Sequence, residues 1–218
     1  MPPPEHGGDG DGPFIRRGPI LVFIGLAVLV ALWSLRSGTP DAARPTAGER
    51  VIAFGDSLVE GVGASTGRDI VSLLSARVGV PIVNAGRSGD TTGSALTRLD
   101  SAVLSRSPRI VIVVLGGNDV LRRVPYEETF ANLDAIVGRI RGRGAAVILV
   151  GLSVGVFTDA YGKGYESLAR GTSSGLVPDV LAGILGNPEL MADHIHPNDR
   201  GYRMMADRIE PALRDLLK

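Results

Sequence analysis

Ser57 lies in Gly55-Asp56-Ser57-Leu58, at the end of the apolar run VIAFG (51–55). A serine at a strand-to-helix turn lifts its hydroxyl above the sheet, and its own backbone N–H points into the same space. A hydroxyl is a poor nucleophile until a base takes its proton, and the base needs a partner to fix its tautomer. Asp193-His194-Ile195-His196-Pro197-Asn198 offers both groups. Of the three histidines, His6 falls in a Pro/Gly/Asp-rich stretch, so the base is His196 or His194. The three-residue spacing from Asp193 favours His196. Pro197 keeps that histidine out of helical geometry, and Asn198 is a candidate N-cap.

Two further blocks offer hydrogen-bond donors. Asn84-Ala85-Gly86-Arg87-Ser88-Gly89-Asp90-Thr91 places a glycine where the backbone can approach a ligand, so that the Gly89 N–H could receive an oxyanion. Gly116-Gly117-Asn118-Asp119 contributes an amide, a neutral donor suited to developing negative charge. Taken singly, each block also reads as ordinary turn or capping chemistry, with Asp90 or Thr91 capping the next helix. A serine, an imidazole, a carboxylate and donors to an oxyanion would together cleave an acyl bond.

These blocks need a scaffold that brings them together. Apolar runs at 51–55, 80–86, 109–116 and 145–151 alternate with helix candidates around 68–78, 93–105, 126–142 and 199–217. In the last helix Met205, Ile209, Leu213 and Leu216 form one stripe at helical spacing. Continuous apolar strands alternating with helices predict a mostly parallel sheet covered on both faces. Ligands bind such sheets at the carboxyl ends of the strands, which is where the first three blocks fall. In 152–190, Val154, Phe157, Tyr161, Leu181, Ile184 and Leu185 read either as core or as walls of an acyl pocket. The Gly-rich stretch from Tyr161 to Gly175 is a candidate lid. Arg122 and Arg123 read as a solvated helix start or as contacts to an anionic head group.

The four blocks, in this order, resemble the SGNH (GDSL) hydrolases, in their bacterial arylesterase, thioesterase and lysophospholipase branch. The resemblance spans roughly 50–217 and rests on GDSL at Ser57, NAGRSGDT at Gly89, GGND at Asn118 and D-x-x-H ending at His196. It implies a flavodoxin-like three-layer α/β/α fold. It also implies a Ser57–His196–Asp193 triad with an oxyanion hole from the Ser57 and Gly89 N–H groups and the Asn118 amide. His194 stands where relatives often carry glycine. The implied activity is acyl-ester hydrolysis of esterase, lysophospholipase or thioesterase type, with no cofactor and no metal. Acetyl esters of carbohydrate or cell wall are the alternative substrates. A different class, a non-catalytic flavodoxin-like module holding phosphate at the Gly89 or Gly116 loops, is opposed by the Asp193/His196 pair. The absence of GxxxxGK[ST] and GxGxxG opposes it too.

Before the hydrolase region (50–218), residues 1–18 read as a disordered tail and 37–49 as a linker. Between them 19–36 holds the charge-free run ILVFIGLAVLVALWSL, with Arg16, Arg17 and Arg36 at its ends, and predicts a single transmembrane signal-anchor. The expected location is the bacterial cell membrane, with the N-terminus in the cytoplasm and the hydrolase region on the periplasmic or extracellular side. The alternative is secretion after cleavage, although RSGTPDAARP offers no A-x-A site. Lys plus Arg equals Asp plus Glu, at 23 each, so no net field draws the chain to nucleic acid. The absence of cysteine excludes thiolate catalysis and disulfide staples.

Overall fold

In a computed structural model, the residues described are Met1, 42–152 and 158–218. The chain divides into units Met1–Gly38 and Thr39–Lys218. The expected tail and the transmembrane segment at 19–36 lie outside the described residues, as do Val154 and Phe157. Among the described residues no helix is long and apolar enough to cross a membrane.

The second unit is a three-layer α/β fold. In chain order it runs β1 (Arg50–Gly55), α1 (Ser57–Glu60), α2 (Ile70–Val78), β2 (Ile82–Gly86), α3 (Thr92–Ala102), β3 (Pro108–Val114), α4 (Gly117–Leu121) and α5 (Tyr126–Arg141). It continues through β4 (Ala146–Val150), α6 (Thr158–Thr172), β5 (Gly175–Val177) and α7 (Asp199–Leu217). The sheet order is β2-β1-β3-β4-β5, and every pairing is parallel.

Strand alternation sets the two faces. Val51 and Ala53 of β1 pack with α2 and α7, while Ile52 and Phe54 pack with α3, α5 and α6. The stripe Met205, Ile209, Leu213 and Leu216 is buried on the first face, as its spacing predicts. Residues 43–49 run along the edge where the strands begin. There the Ala43, Thr46 and Glu49 amides donate to the carbonyls of Ser173, Gly144 and Ser107. The motif loops leave from the opposite edge.

One expectation is overturned. The stretch expected as a lid from Tyr161 is helix α6, whose Tyr161, Tyr165 and Ala169 are buried four residues apart. One of its glycines serves packing. A Cβ at Gly164 would sit 2.3 Å from the Phe130 ring, so glycine lets α6 lie close on α5. Phe130 stacks against Tyr126, Tyr161 and Tyr165 with centroids 4.5–5.5 Å apart. These ring contacts make α6 part of the packed layer over the sheet. Tyr161 and Ile184 are buried core side chains that do not line the cleft at Ser57, although Tyr161 also borders a separate pocket with Val120, Arg123, Val124 and Tyr126.

Candidate active site

The order 2-1-3 reverses the direction of winding at β1, so the loops after β1 and β3 diverge and leave a crevice between them. Ser57 opens α1 on one side and Asn118 lies in α4 on the other. The turn at Ser57 is built by its neighbour. Asp56 caps α1 by accepting the Leu58 N–H at 3.0 Å. Ser57 is the first helical residue, where a backbone N–H has no intrahelical carbonyl to meet.

His196 arrives from the far end of the chain. Its Nε2 lies 3.1 Å from Ser57 Oγ, and its Nδ1 lies 2.7 Å from Asp193 Oδ2. Asp193 also closes the turn, its Oδ1 accepting the Ile195 and His196 amides at 2.8 and 2.7 Å. The bond from His196, with these two amides, holds the Asp193 carboxyl down to about 2. An ionised carboxylate only accepts, so Nδ1 must be the donor and Nε2 is left to accept from the serine. Asn198 caps α7 by accepting the Arg200 and Gly201 amides. Two ties hold this segment to the loop after Ser57. Tyr202 donates its hydroxyl to Val62 O at 2.8 Å, and Asp199 accepts the Ser65 N–H at 2.7 Å. A buried hydroxyl-to-carbonyl bond of this kind contributes about 1 kcal/mol net. His194 is exposed and is not among the residues that line the cleft at Ser57.

Asn118 Nδ2 donates to Asp90 O at 3.0 Å and to Asp56 Oδ2 at 3.3 Å. Both amide hydrogens thus have acceptors at rest, the second held at the longer distance. Gly89 stands one residue before Asp90, at φ +79°, with its carbonyl accepting from Arg122 at 2.9 Å. Arg122 closes α4 rather than opening a helix, and Arg123 follows it at φ +57°. Among the described residues, the cleft is lined by Ser57, Asn118 and His196 with Leu121, Leu152, Leu181, Leu185 and Ile195. Two of the sequence candidates, Leu181 and Leu185, belong to this wall. Gly89 is not among the lining residues and joins the cleft through the Asp90–Asn118 bond.

Sequence reasoning passed over three groups that brace these loops. Arg98 is almost buried; its Nε meets Asp90 at 2.5 Å, and its Nη2 donates to Gly55 O and Ala85 O at 3.0 Å each. Its guanidinium also lies 4.6 Å over the Phe54 ring. Asp119 is fully buried and takes the Thr92 N–H and hydroxyl, fixing α4 to the start of α3. Thr91, one of the two capping candidates, caps α3, while Asp90 is given to Arg98.

Asp56 is the third. Only 2% of it is exposed, and burial raises its carboxyl to about 6 against the pull of the Leu58 N–H and of His196. The folded protein therefore holds this proton more tightly than the unfolded chain. The stability linked to it is present below the ordinary carboxylate range and lost as pH rises through about 6. Wild type should lose on the order of 3 kcal/mol relative to Asp56→Asn between about pH 4 and 7. Urea unfolding of both proteins at the two pH values measures this, and parallel pH slopes would refute it.

Among the described residues, no three His, Cys, Asp or Glu side chains are grouped closely enough to hold a metal ion. The fold is three-layer α/β, and its cleft brings Ser57, His196 and Asp193 into hydrogen-bond reach of one another. The GDSL-like lipase/acylhydrolase family model matches residues 53–204, and the chain belongs to that family. It is 31% identical to esterase TesA of Pseudomonas aeruginosa over 182 residues, 78% of this chain and 90% of that protein. It is 29% identical to thioesterase 1/protease 1/lysophospholipase L1 of Escherichia coli K12, over 80% of this chain and 88% of that one. A crystal structure of TesA superposes with a TM-score of 0.73 at 31% identity, covering 77% of this chain and 99% of that one. The protein is an ester-hydrolysing enzyme.

Proposed function

We propose that this enzyme cleaves carboxylic acyl esters through an acyl-enzyme on Ser57. Ser57 Oγ attacks the carbonyl carbon as His196 Nε2 takes its proton, and Asp193 stabilises the imidazolium. The Ser57 and Gly89 N–H groups and the Asn118 amide receive the oxyanion, for which the loosely held Asn118 hydrogen turns from Asp56 to the tetrahedral oxygen. The C–O bond to the alcohol breaks, and the alcohol leaves with the proton from His196. Water then attacks the acyl carbon with His196 as base, releasing the acid and restoring Ser57. The observation that carries this reading is one imidazole within hydrogen-bond reach of Ser57 Oγ on one nitrogen and of Asp193 on the other.

The leucine and isoleucine wall suits the hydrocarbon of an acyl chain, so the substrate class is a lipid-like ester such as a lysophospholipid. The apolar run at 19–36 would tether the enzyme to the cell membrane, with its hydrolase unit on the periplasmic or extracellular side. A fluorophosphonate probe should label the full-length protein at Ser57 alone. Labelling elsewhere, or none, would dismiss the nucleophile. A nitrophenyl ester series run beside acetylated glycans tests the substrate: activity confined to the glycans would replace the lipid reading.

A further inference from the structure

The loop carrying Gly89 is braced by Arg98 through Asp90, by Arg122 through the Gly89 carbonyl, and by a third group outside the four sequence blocks. Glu60 ends α1, the same short helix that Ser57 begins. Its Oε2 accepts both the Ser88 N–H and the Ser88 hydroxyl, each at 2.5 Å. These two bonds hold the Glu60 carboxyl below its usual range, so at neutral pH it is the carboxylate, the stronger acceptor. The neighbouring residue joins the same seam, with Asn84 Nδ2 donating to Val59 O at 2.8 Å.

This bracing acts on the two peptides that flank the one carrying the donor. The Ser88 N–H belongs to the peptide before the Ser88–Gly89 bond, and the Gly89 carbonyl to the peptide after it. With the first tied to Glu60 and the second to Arg122, the peptide between them has little freedom to rotate. Gly89 needs such outside restraint, because at φ +79° it has no side chain to limit its own backbone.

We infer that Glu60 is a positioning residue for the oxyanion site: through Ser88 it fixes the direction of the Gly89 N–H relative to Ser57. The inference rests on Gly89 being an oxyanion donor. Because α1 carries the nucleophile at one end and the clip at the other, the two backbone donors keep their spacing through a single helical turn.

The test uses the full chain with Glu60→Ala, Glu60→Gln and Ser88→Ala. A lost oxyanion donor costs about 100- to 1000-fold, so a misaimed one should cost less, about tenfold in kcat for Glu60→Ala. KM should stay within about twofold, since the interaction acts in the transition state. A boronic acid that forms a tetrahedral adduct on Ser57 should lose affinity by the same factor as kcat. Glu60→Gln, which keeps an acceptor without the charge, should fall between wild type and alanine. Ser88→Ala should be mild, because its N–H remains, and its effect should not add to that of Glu60→Ala. Unchanged kcat in Glu60→Ala, or a loss carried by KM with boronate affinity intact, would overturn the inference. So would a fall in melting temperature alone, which marks a structural tie. If wild type itself resists the boronate, the Ser57 reading fails; if wild type binds it and Glu60→Ala binds it equally, only the clip fails.

Discussion

Ser57→Ala should cut kcat on every ester substrate by about 10⁴- to 10⁶-fold and leave the melting temperature within a few degrees of wild type. The size of the loss follows from the route. Without the hydroxyl no acyl-enzyme forms, and what remains is water attacking a carbonyl held by the oxyanion donors. The small effect on stability follows from the packing. Ser57 is half-buried, and its Oγ meets His196 Nε2 at a cleft open to solvent, so alanine leaves no unsatisfied group shut inside the protein. The backbone N–H of residue 57 stays in place, as does the Asp56 cap that shapes the turn. Steady-state kinetics with thermal denaturation on the same preparations measures both quantities. Wild-type turnover from Ser57→Ala would mean that another group attacks the ester, and the roles given to His196 and Asp193 would fall with it.

The first three blocks were legible because each couples a special residue to a strand end, and the fourth because an Asp and a His stand three apart just before a helix. Alternation of apolar runs with helical stripes then implied that those ends share one rim. Strand boundaries at β1, β3 and β4 fell within a residue or two of the apolar runs, since these strands are buried along nearly their whole length. The region from 152 to 190 was harder to read for two physical reasons. Strand β5 is three residues long, too short for any periodicity, and it begins inside a Ser-Ser-Gly run that reads as a turn. Helix α6 contains Gly162, Gly164 and Gly171, which locally oppose a helix; tertiary contact with Phe130 and the buried Tyr161 and Tyr165 override them. Bracing groups were missed for a different reason. Arg98, Glu60 and Asp119 carry side chains that are usually solvated, and only the fold reveals that they end on Gly55, Ser88 and Thr92.

Asn118→Ala should lower kcat by about 100- to 1000-fold, the usual effect of deleting one oxyanion donor, with KM changing much less. At rest the Asn118 amide bridges the loops after β1 and β2, through Asp56 at 3.3 Å and Asp90 O at 3.0 Å. Its removal therefore has a structural component as well, and a second variant separates the two. Asn118→Asp keeps the shape but sets a carboxylate against Asp56, whose own ionised form is already penalised by burial. At neutral pH the aspartate variant should thus be less stable than the alanine variant, and no more active. In acid, towards the ordinary carboxylate range, where the pair is protonated, the stability gap should narrow. Kinetics at neutral pH and urea unfolding at neutral and acid pH read the two components independently. An Asn118→Ala enzyme within about fivefold of wild-type kcat would leave this side chain as a tie between loops and transfer the oxyanion to the backbone donors alone.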